Sequence, residues 1–243
     1  MAFSNSRGRF APGRGVQWSG RWVVGYTGGT RFVASVSLNR LNWLNTRNKP
    51  VKLAKDFGTM RRLRETDFSC DAVTGAKLLI GKWLCRRLDD GTVLRGKIVE
   101  TEAYCGESDS ACHAHRGKTQ RNAPMYEGGG IAYIYLCYGM HNLLNVVTGA
   151  VGNPQAVLIR GVEDHVGPGK LTKFLQIDRS LNREPFAHSE RLWLEDDGNR
   201  YRYLATSRIG ISYATLRDQA RKWRFVLVEG KERKPNKAIG RKF

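Results

Sequence analysis

The chain has 243 residues, 41 Lys and Arg against 22 Asp and Glu, and a formal net charge of +19. At 41% hydrophobic residues, with no apolar run near the ~18 residues a bilayer crossing needs, the composition excludes a membrane-spanning reading and fits one soluble domain with or without tails. The charge is uneven: residues 1–55 hold 10 basic residues and no acid, residues 56–220 are net +2, and residues 221–243 are net +7. A nearly neutral body between two basic ends fits an enzyme-like core whose flanks meet polyanions or serve as targeting segments.

Residues 1–60 read as a basic extension with three open interpretations. It is a transit-like targeting peptide, a loosely ordered arm adding nonspecific DNA affinity, or, given Trp18, Trp22, Val23 and Val24, a segment packed locally on the core. The body is expected over 61–230, with a basic tail over 231–243. Ala72 to Arg87 reads as a helix with the apolar stripe Ala72, Ala76, Leu79 and Leu84, running into a strand. Asp89-Asp90-Gly91 is a turn signal, so Trp83–Leu88 and Val93–Tyr104 predict a β-hairpin. Gly128-Gly129-Gly130 leads into a strand over Ile131–Tyr138, and Gln155–Val162 is another. After Gly167-Pro168-Gly169 come a helix over Lys170–Ile177, a short strand or turn at Arg191–Leu194 and a last strand at Arg224–Val228. Hairpins without a βαβ rhythm predict α+β: one domain with a mainly antiparallel curved sheet and surrounding helices.

The five cysteines, Cys70, Cys85, Cys105, Cys112 and Cys137, are odd in number and contain no C-x-x-C pair. Reduced thiols in an intracellular protein are expected rather than a disulfide framework. Cys105, Cys112, His113 and His115 cluster in sequence, but C-x6-C-H-x-H lacks the paired short spacings of structural zinc ligands. No metal and no organic cofactor is expected.

Two segments carry chemistry. In the strand Lys97–Tyr104, alternation puts Glu100, Glu102 and Tyr104 on one face, two carboxylates and a phenol where an ordinary strand presents a solvated face. In Ile131–Met140, Tyr133 and Tyr135 share a parity while Tyr138, beside Gly139, projects from a turn. Such rings fill cores or stack on bases.

Glu100-Thr101-Glu102-Ala103-Tyr104-Cys105-Gly106, His113, Arg121-Asn122, Met125, Tyr133-Ile134-Tyr135 and Tyr138-Gly139-Met140 together resemble the alkyladenine (3-methyladenine) DNA glycosylase family. The resemblance continues through Asn145, Val157–Arg160, Gly167–Leu171 and Arg208–Ile211, and so spans roughly residues 66–228. It implies a base-excision-repair enzyme that flips alkylated or deaminated purines out of double-stranded DNA and hydrolyses the N-glycosidic bond, leaving an abasic site.

By the same resemblance, Glu102 is the general base that activates water. Tyr104, Tyr135 and His113 are the walls around the flipped purine, Tyr138 is the side chain inserted into the duplex, Asn145 crowds a guanine 2-amino group, and Arg160 contacts the nucleotide backbone. Glu100 is assigned a structural or electrostatic part. A monofunctional monomer is expected, in the nucleus or an organelle if eukaryotic and in the cytoplasm if bacterial. Two positions depart from the family pattern: Gln120 stands where Pro is usual, and His141 replaces an aromatic.

Gly167-Pro168-Gly169-Lys170-Leu171-Thr172 fails as a nucleotide phosphate loop, which needs Gly at 164 and Ser or Thr at 171, where the chain has Asp164 and Leu171. The rival reading is a noncatalytic RNA- or single-strand-binding module with Tyr133 and Tyr135 as a stacking platform. Its Lys/Arg-Gly-aromatic runs are missing, and a carboxylate at position 102 would repel phosphate.

Overall fold

The structure, a computed structural model, describes residues 21–27, 30–37, 40–44 and 60–231. The chain divides into two compact units, Met1–Asp56 and Phe57–Phe243. In the first, β1 (Arg21–Thr27), β2 (Thr30–Ser37) and β3 (Arg40–Leu44) form an antiparallel sheet in that order. Trp22, Val23 and Val24 fall in β1. Trp18, most of what bears on the targeting and DNA-arm readings, and the tail from residue 232 lie outside the described residues.

The second unit opens with β4 (Arg61–Arg62) and a 3-10 turn over Glu65–Phe68. Then α1 (Ala72–Leu79) starts at Asp71, whose carboxylate accepts from the Thr74 N–H at 2.9 Å, a cap worth about 1 kcal/mol. The helix predicted to run to Arg87 stops at Leu79, because Ile80 is extended and Gly81 takes φ +82. The chain can then enter β5 (Trp83–Arg87), paired through a turn with the 13-residue β6 (Val93–Cys105).

Next come β7 (Ala132–Cys137), β8 (His141–Thr148), β9 (Gln155–Val162), β10 (His165–Val166) and α2 (Pro168–Phe174). The chain ends in β11 (Leu192–Asp196), β12 (Tyr201–Thr206), α3 (Leu216–Ala220) and β13 (Arg224–Lys231). Every pairing described is antiparallel, along the order β4-β11-β5-β6-β9-β8-β7, with β13 joining β6 and carrying β12. The expected mainly antiparallel sheet is present. Among the described residues the α-helices are three and short, the longest being eight residues, so they patch the sheet rather than surround it.

The two faces of this sheet have different jobs. Ala103, Ala132, Ile134, Leu144, Val146, Val157 and Ile159 point into the main core with Ala72, Ala76 and Leu79 of α1 and Leu171 of α2. Residues of opposite parity, Tyr133, Val147 and Ala156, pack with Cys112, Ala114 and Met125 under the segment between β6 and β7, and Tyr104 and Tyr135 lie against them. Because alternate residues face opposite sides, one strand supplies both the core and the second face.

Candidate active site

Cross-strand register assembles the second face. Glu102 lies opposite Leu158, Leu158 opposite Asn145, and Asn145 opposite Tyr133, a row running across β6, β9, β8 and β7. Residues 104, 111, 112, 113, 125, 133, 135, 145, 156 and 213 line a pocket on that side, a tight cleft of about 40 Å³.

Aromatic rings dominate its walls. His113 and Tyr135 meet at 4.5 Å between centroids, nearly edge to face, and Tyr133 lies 5.5 Å from Tyr135. Nδ1 of His113 hydrogen-bonds the Tyr133 hydroxyl at 2.9 Å. Burial, with Arg121 nearby, holds the His113 pKa below its ordinary value, so the neutral imidazole is the form present at pH 7. Burial pushes the Tyr133 phenol up to about 12 and Tyr104 well above 10. The walls therefore carry no charge at neutral pH. The Asn145 amide donates to the Tyr133 carbonyl at 3.1 Å, which fixes its orientation in the row.

Glu102 is fully buried behind the wall of this pocket. Its Oε1 accepts from the Ile209 N–H at 2.8 Å, and its Oε2 accepts from the Tyr104 hydroxyl at 2.9 Å and from Arg160 Nη1 at 3.5 Å. Burial raises the Glu102 pKa, opposed chiefly by the Arg160 charge. Glu100 accepts from Arg160 Nε at 3.0 Å and from Arg224 Nε at 2.5 Å. The pairing of β6 with β9 slips on both sides of Glu100, leaving Val99 and Arg160 as extra residues. Two close irregularities turn Arg160 toward both carboxylates.

Tyr138 stands apart from the pocket walls. Cys137 pairs with His141, so Tyr138, Gly139 and Met140 make a three-residue hairpin loop. Tyr138 (φ +49) and Gly139 (φ +70) are left-handed there, and the Tyr138 ring is 89% exposed, with Met140 exposed beside it.

The structure thus brings Tyr104, His113, Tyr135 and Asn145 around one pocket, places Glu102 behind its wall on the Tyr104 hydroxyl with Arg160 on the far side of that carboxylate, and sets Tyr138 on a separate tip. His115 turns away to the Glu107 carbonyl at 2.8 Å while His113 enters the pocket. Among the described residues no group of three or more His, Cys, Asp or Glu is placed to hold a metal ion. Sequence reading missed Tyr133 as a partner of His113, although its parity with Tyr135 signalled it. It also missed Tyr213, whose hydroxyl donates to the Ala111 carbonyl at 3.0 Å at the pocket mouth, and the Ile209 N–H. A backbone donor leaves no signature in sequence.

Fold and site together describe an aromatic slot with a buried carboxylate bonded to one of its walls. The chain belongs to the methylpurine-DNA glycosylase family, whose model matches residues 66–166 and 164–231. This places it among DNA-binding hydrolases of base-excision repair. A relative from Borreliella burgdorferi (strain ZS7), provisionally named 3-methyladenine DNA glycosylase, is 44% identical over 177 residues, covering 68% of this chain and 95% of its own. Relatives with the same provisional name from Psychrobacter cryohalolentis and Methanocella arvoryzae are each 43% identical, over 174 and 170 residues. They cover 60% and 62% of this chain and 81% and 84% of their own. Among the described residues no helix is long and apolar enough to cross a membrane.

Proposed function

We propose that the protein excises alkylated and deaminated purines from double-stranded DNA by hydrolysis at C1′, with Glu102 as general base. A base inside a duplex hides its glycosidic bond, so the nucleotide must leave the stack, at a few kcal/mol that is least for damaged or mispaired bases. Tyr138, exposed on its three-residue loop, fills the gap left behind. The flipped base enters the slot of Tyr104, His113 and Tyr135, where a cationic alkylpurine gains about 0.5–2 kcal/mol from the aromatic faces. A neutral His113 adds no charge to repel it. Asn145, locked to the Tyr133 carbonyl, crowds a guanine 2-amino group.

Hydrolysis then proceeds with water as nucleophile. A bond forms between the water oxygen and C1′, the bond from C1′ to the base nitrogen breaks, and its electron pair leaves with the base. Glu102 takes the water proton and stabilises the oxocarbenium-like transition state. Its Oε1 accepts from the Ile209 N–H, and its Oε2 from the Tyr104 hydroxyl at 2.9 Å and from Arg160 at 3.5 Å, so the carboxylate is held in place for that role. Among the described residues no lysine lines the pocket, which supports a monofunctional enzyme without a Schiff base. The products are a free base and an abasic site, and the enzyme works as a monomer in an intracellular compartment that holds DNA.

The observation that carries this reading is the buried Glu102, held by Ile209, Tyr104 and Arg160 behind the wall of the aromatic slot. The test incubates wild type and Glu102→Gln with methylated duplex DNA in EDTA and quantifies released 3-methyladenine and 7-methylguanine. Release by wild type alone is expected. Equal release by the variant removes Glu102 from its role, and a covalent enzyme–DNA adduct trapped by borohydride removes the monofunctional mechanism.

A further inference from the structure

Beneath Tyr104, and outside the set of pocket-lining residues, lies an ion pair whose side chains are fully buried. Arg208 Nη1 and Nη2 donate to the two oxygens of Asp109 at 2.6 and 2.8 Å, and Nη1 also donates to the Ala103 carbonyl at 2.9 Å. Asp109 in turn accepts from the Cys105 N–H and the Ala111 N–H, both at 3.1 Å. The pair therefore grips β6 on either side of Tyr104 and reaches a residue of the pocket wall.

The same guanidinium lies 4.9 Å from the Tyr104 ring centre and 5.1 Å from that of Trp223, which Arg221 contacts at 4.2 Å. The next residue, Ile209, donates its N–H to Glu102. One dipeptide thus backs the aromatic wall and holds the carboxylate. A buried ion pair adds little net stability over an apolar filling of the same volume. What it does add is fixed geometry and a local field.

We infer that the Asp109–Arg208 pair positions Glu102 and Tyr104, and that its charge balance tunes the field at the carboxylate and at the ring face offered to a cationic base. This rests on the proposed glycosylase reading. Neither residue touches substrate; both act through Glu102 and Tyr104. The other groups facing Glu102 are Tyr104 and Glu100 from β6, Arg160 from β9, Tyr213 from the segment before α3 and, through Glu100, Arg224 from β13. None of these is altered in the test.

Opposite charge changes give opposite expectations. Asp109→Asn leaves the Arg208 charge uncompensated, so the acid limb of the single-turnover profile moves to lower pH by at least ~0.5 unit. The cation behind Tyr104 also drains its outer face, so excision of cationic 3-methyladenine falls about two- to five-fold relative to neutral hypoxanthine. Arg208→Met removes the cation, and the limb moves to higher pH. Asp109→Asn combined with Arg208→Met removes both charges without stranding either, returning the limb to its wild-type position. Its plateau rate per folded molecule stays about 10- to 100-fold down, because Tyr104 and Ile209 lose their anchor.

A purely structural pair would lower the melting temperature while the limb, the lesion ratio and the rate per folded molecule stayed as in wild type; that result overturns the inference. If the single variants do not fold, the double variant decides through its rate per folded molecule. Wild-type protein run alongside keeps the two readings apart, since its failure to release any base would overturn the glycosylase reading itself.

Discussion

Arg160→Met tests the electrostatics of the site most directly. Arg160 bridges two buried carboxylates, with Nη1 3.5 Å from Glu102 and Nε 3.0 Å from Glu100. At an effective dielectric constant of ~20 the contact with Glu102 is worth about 4.7 kcal/mol of Coulomb energy, a ceiling of ~3.5 pKa units. Relaxation and water entry reduce this to the ~1–3 units usual for losing a close opposite charge. Glu100 keeps Arg224, so the loss falls mainly on Glu102.

Burial already raises the Glu102 pKa, and removing its main opposing charge raises it further. A general base acts only when ionised, so the acid limb of the excision profile moves to higher pH by about 1–3 units while the alkaline plateau is retained in part. Breaking a buried pair also costs about 3 kcal/mol at neutral pH, a fall in Tm of ~6–12 °C. The assay is single-turnover release of 3-methyladenine from a defined duplex between pH 5 and 10, with thermal unfolding alongside. An unmoved acid limb with uniformly slower rates and a weaker salt dependence of DNA binding would refute this account and return Arg160 to a contact with the nucleotide backbone.

Further outcomes are expected. Glu102→Gln loses about 10²–10⁴-fold in excision yet is more stable than wild type at neutral pH. A carboxyl whose folded pKa is raised imposes its penalty above that value and none below the unfolded value, so the gain disappears on acidification. Thermal unfolding from pH 4 to 8 checks this, and a gain independent of pH contradicts it. Tyr138→Ala leaves stability within about 0.5 kcal/mol, because the ring is exposed, but slows excision from paired duplex more than from a mispaired site; equal slowing on both would count against a wedge. Asn145→Gly raises the ratio of guanine-type to adenine-type lesion excision, read by chromatography of the released bases. Gly129→Ala puts a methyl 2.6 Å from the Phe68 carbonyl oxygen and lowers stability by about 1–3 kcal/mol in urea unfolding.

The parts legible in sequence are those with a short-range signature. Asp89-Asp90-Gly91 announced the β5–β6 hairpin, and the parity of Glu102, Tyr104, Tyr133 and Tyr135 is the parity of the pocket face. β8 went unread because every side chain from Leu143 to Thr148 is buried, both faces of the strand being covered, and the polar Asn145 and Thr148 fall among the apolar residues without an alternation to detect. β12 hid for the opposite reason, since Tyr201–Thr206 is mostly exposed. Simple alternation treated Glu100 as an ordinary neighbour of Glu102, whereas the double slip around Glu100 depends on β9 and is invisible in β6 alone. Asp109 and Arg208 are 99 residues apart, and nothing local links them.

The row Glu102, Leu158, Asn145 and Tyr133 makes the pocket a product of strand register. A slip of one residue in any of the four strands would send its member of the row into the main core and bring a core residue to the surface. The pocket therefore has no partially assembled form worth having. It closes only when strands from both halves of the domain, and the Arg208-Ile209 segment that arrives near its end, are in place. Appearance of excision during refolding would report completion of these four strands and the Arg208-Ile209 segment, later than any signal from β5–β6 hairpin formation, and a nascent chain ending before Arg208 would carry most of the pocket-lining residues without the backbone donor that holds Glu102.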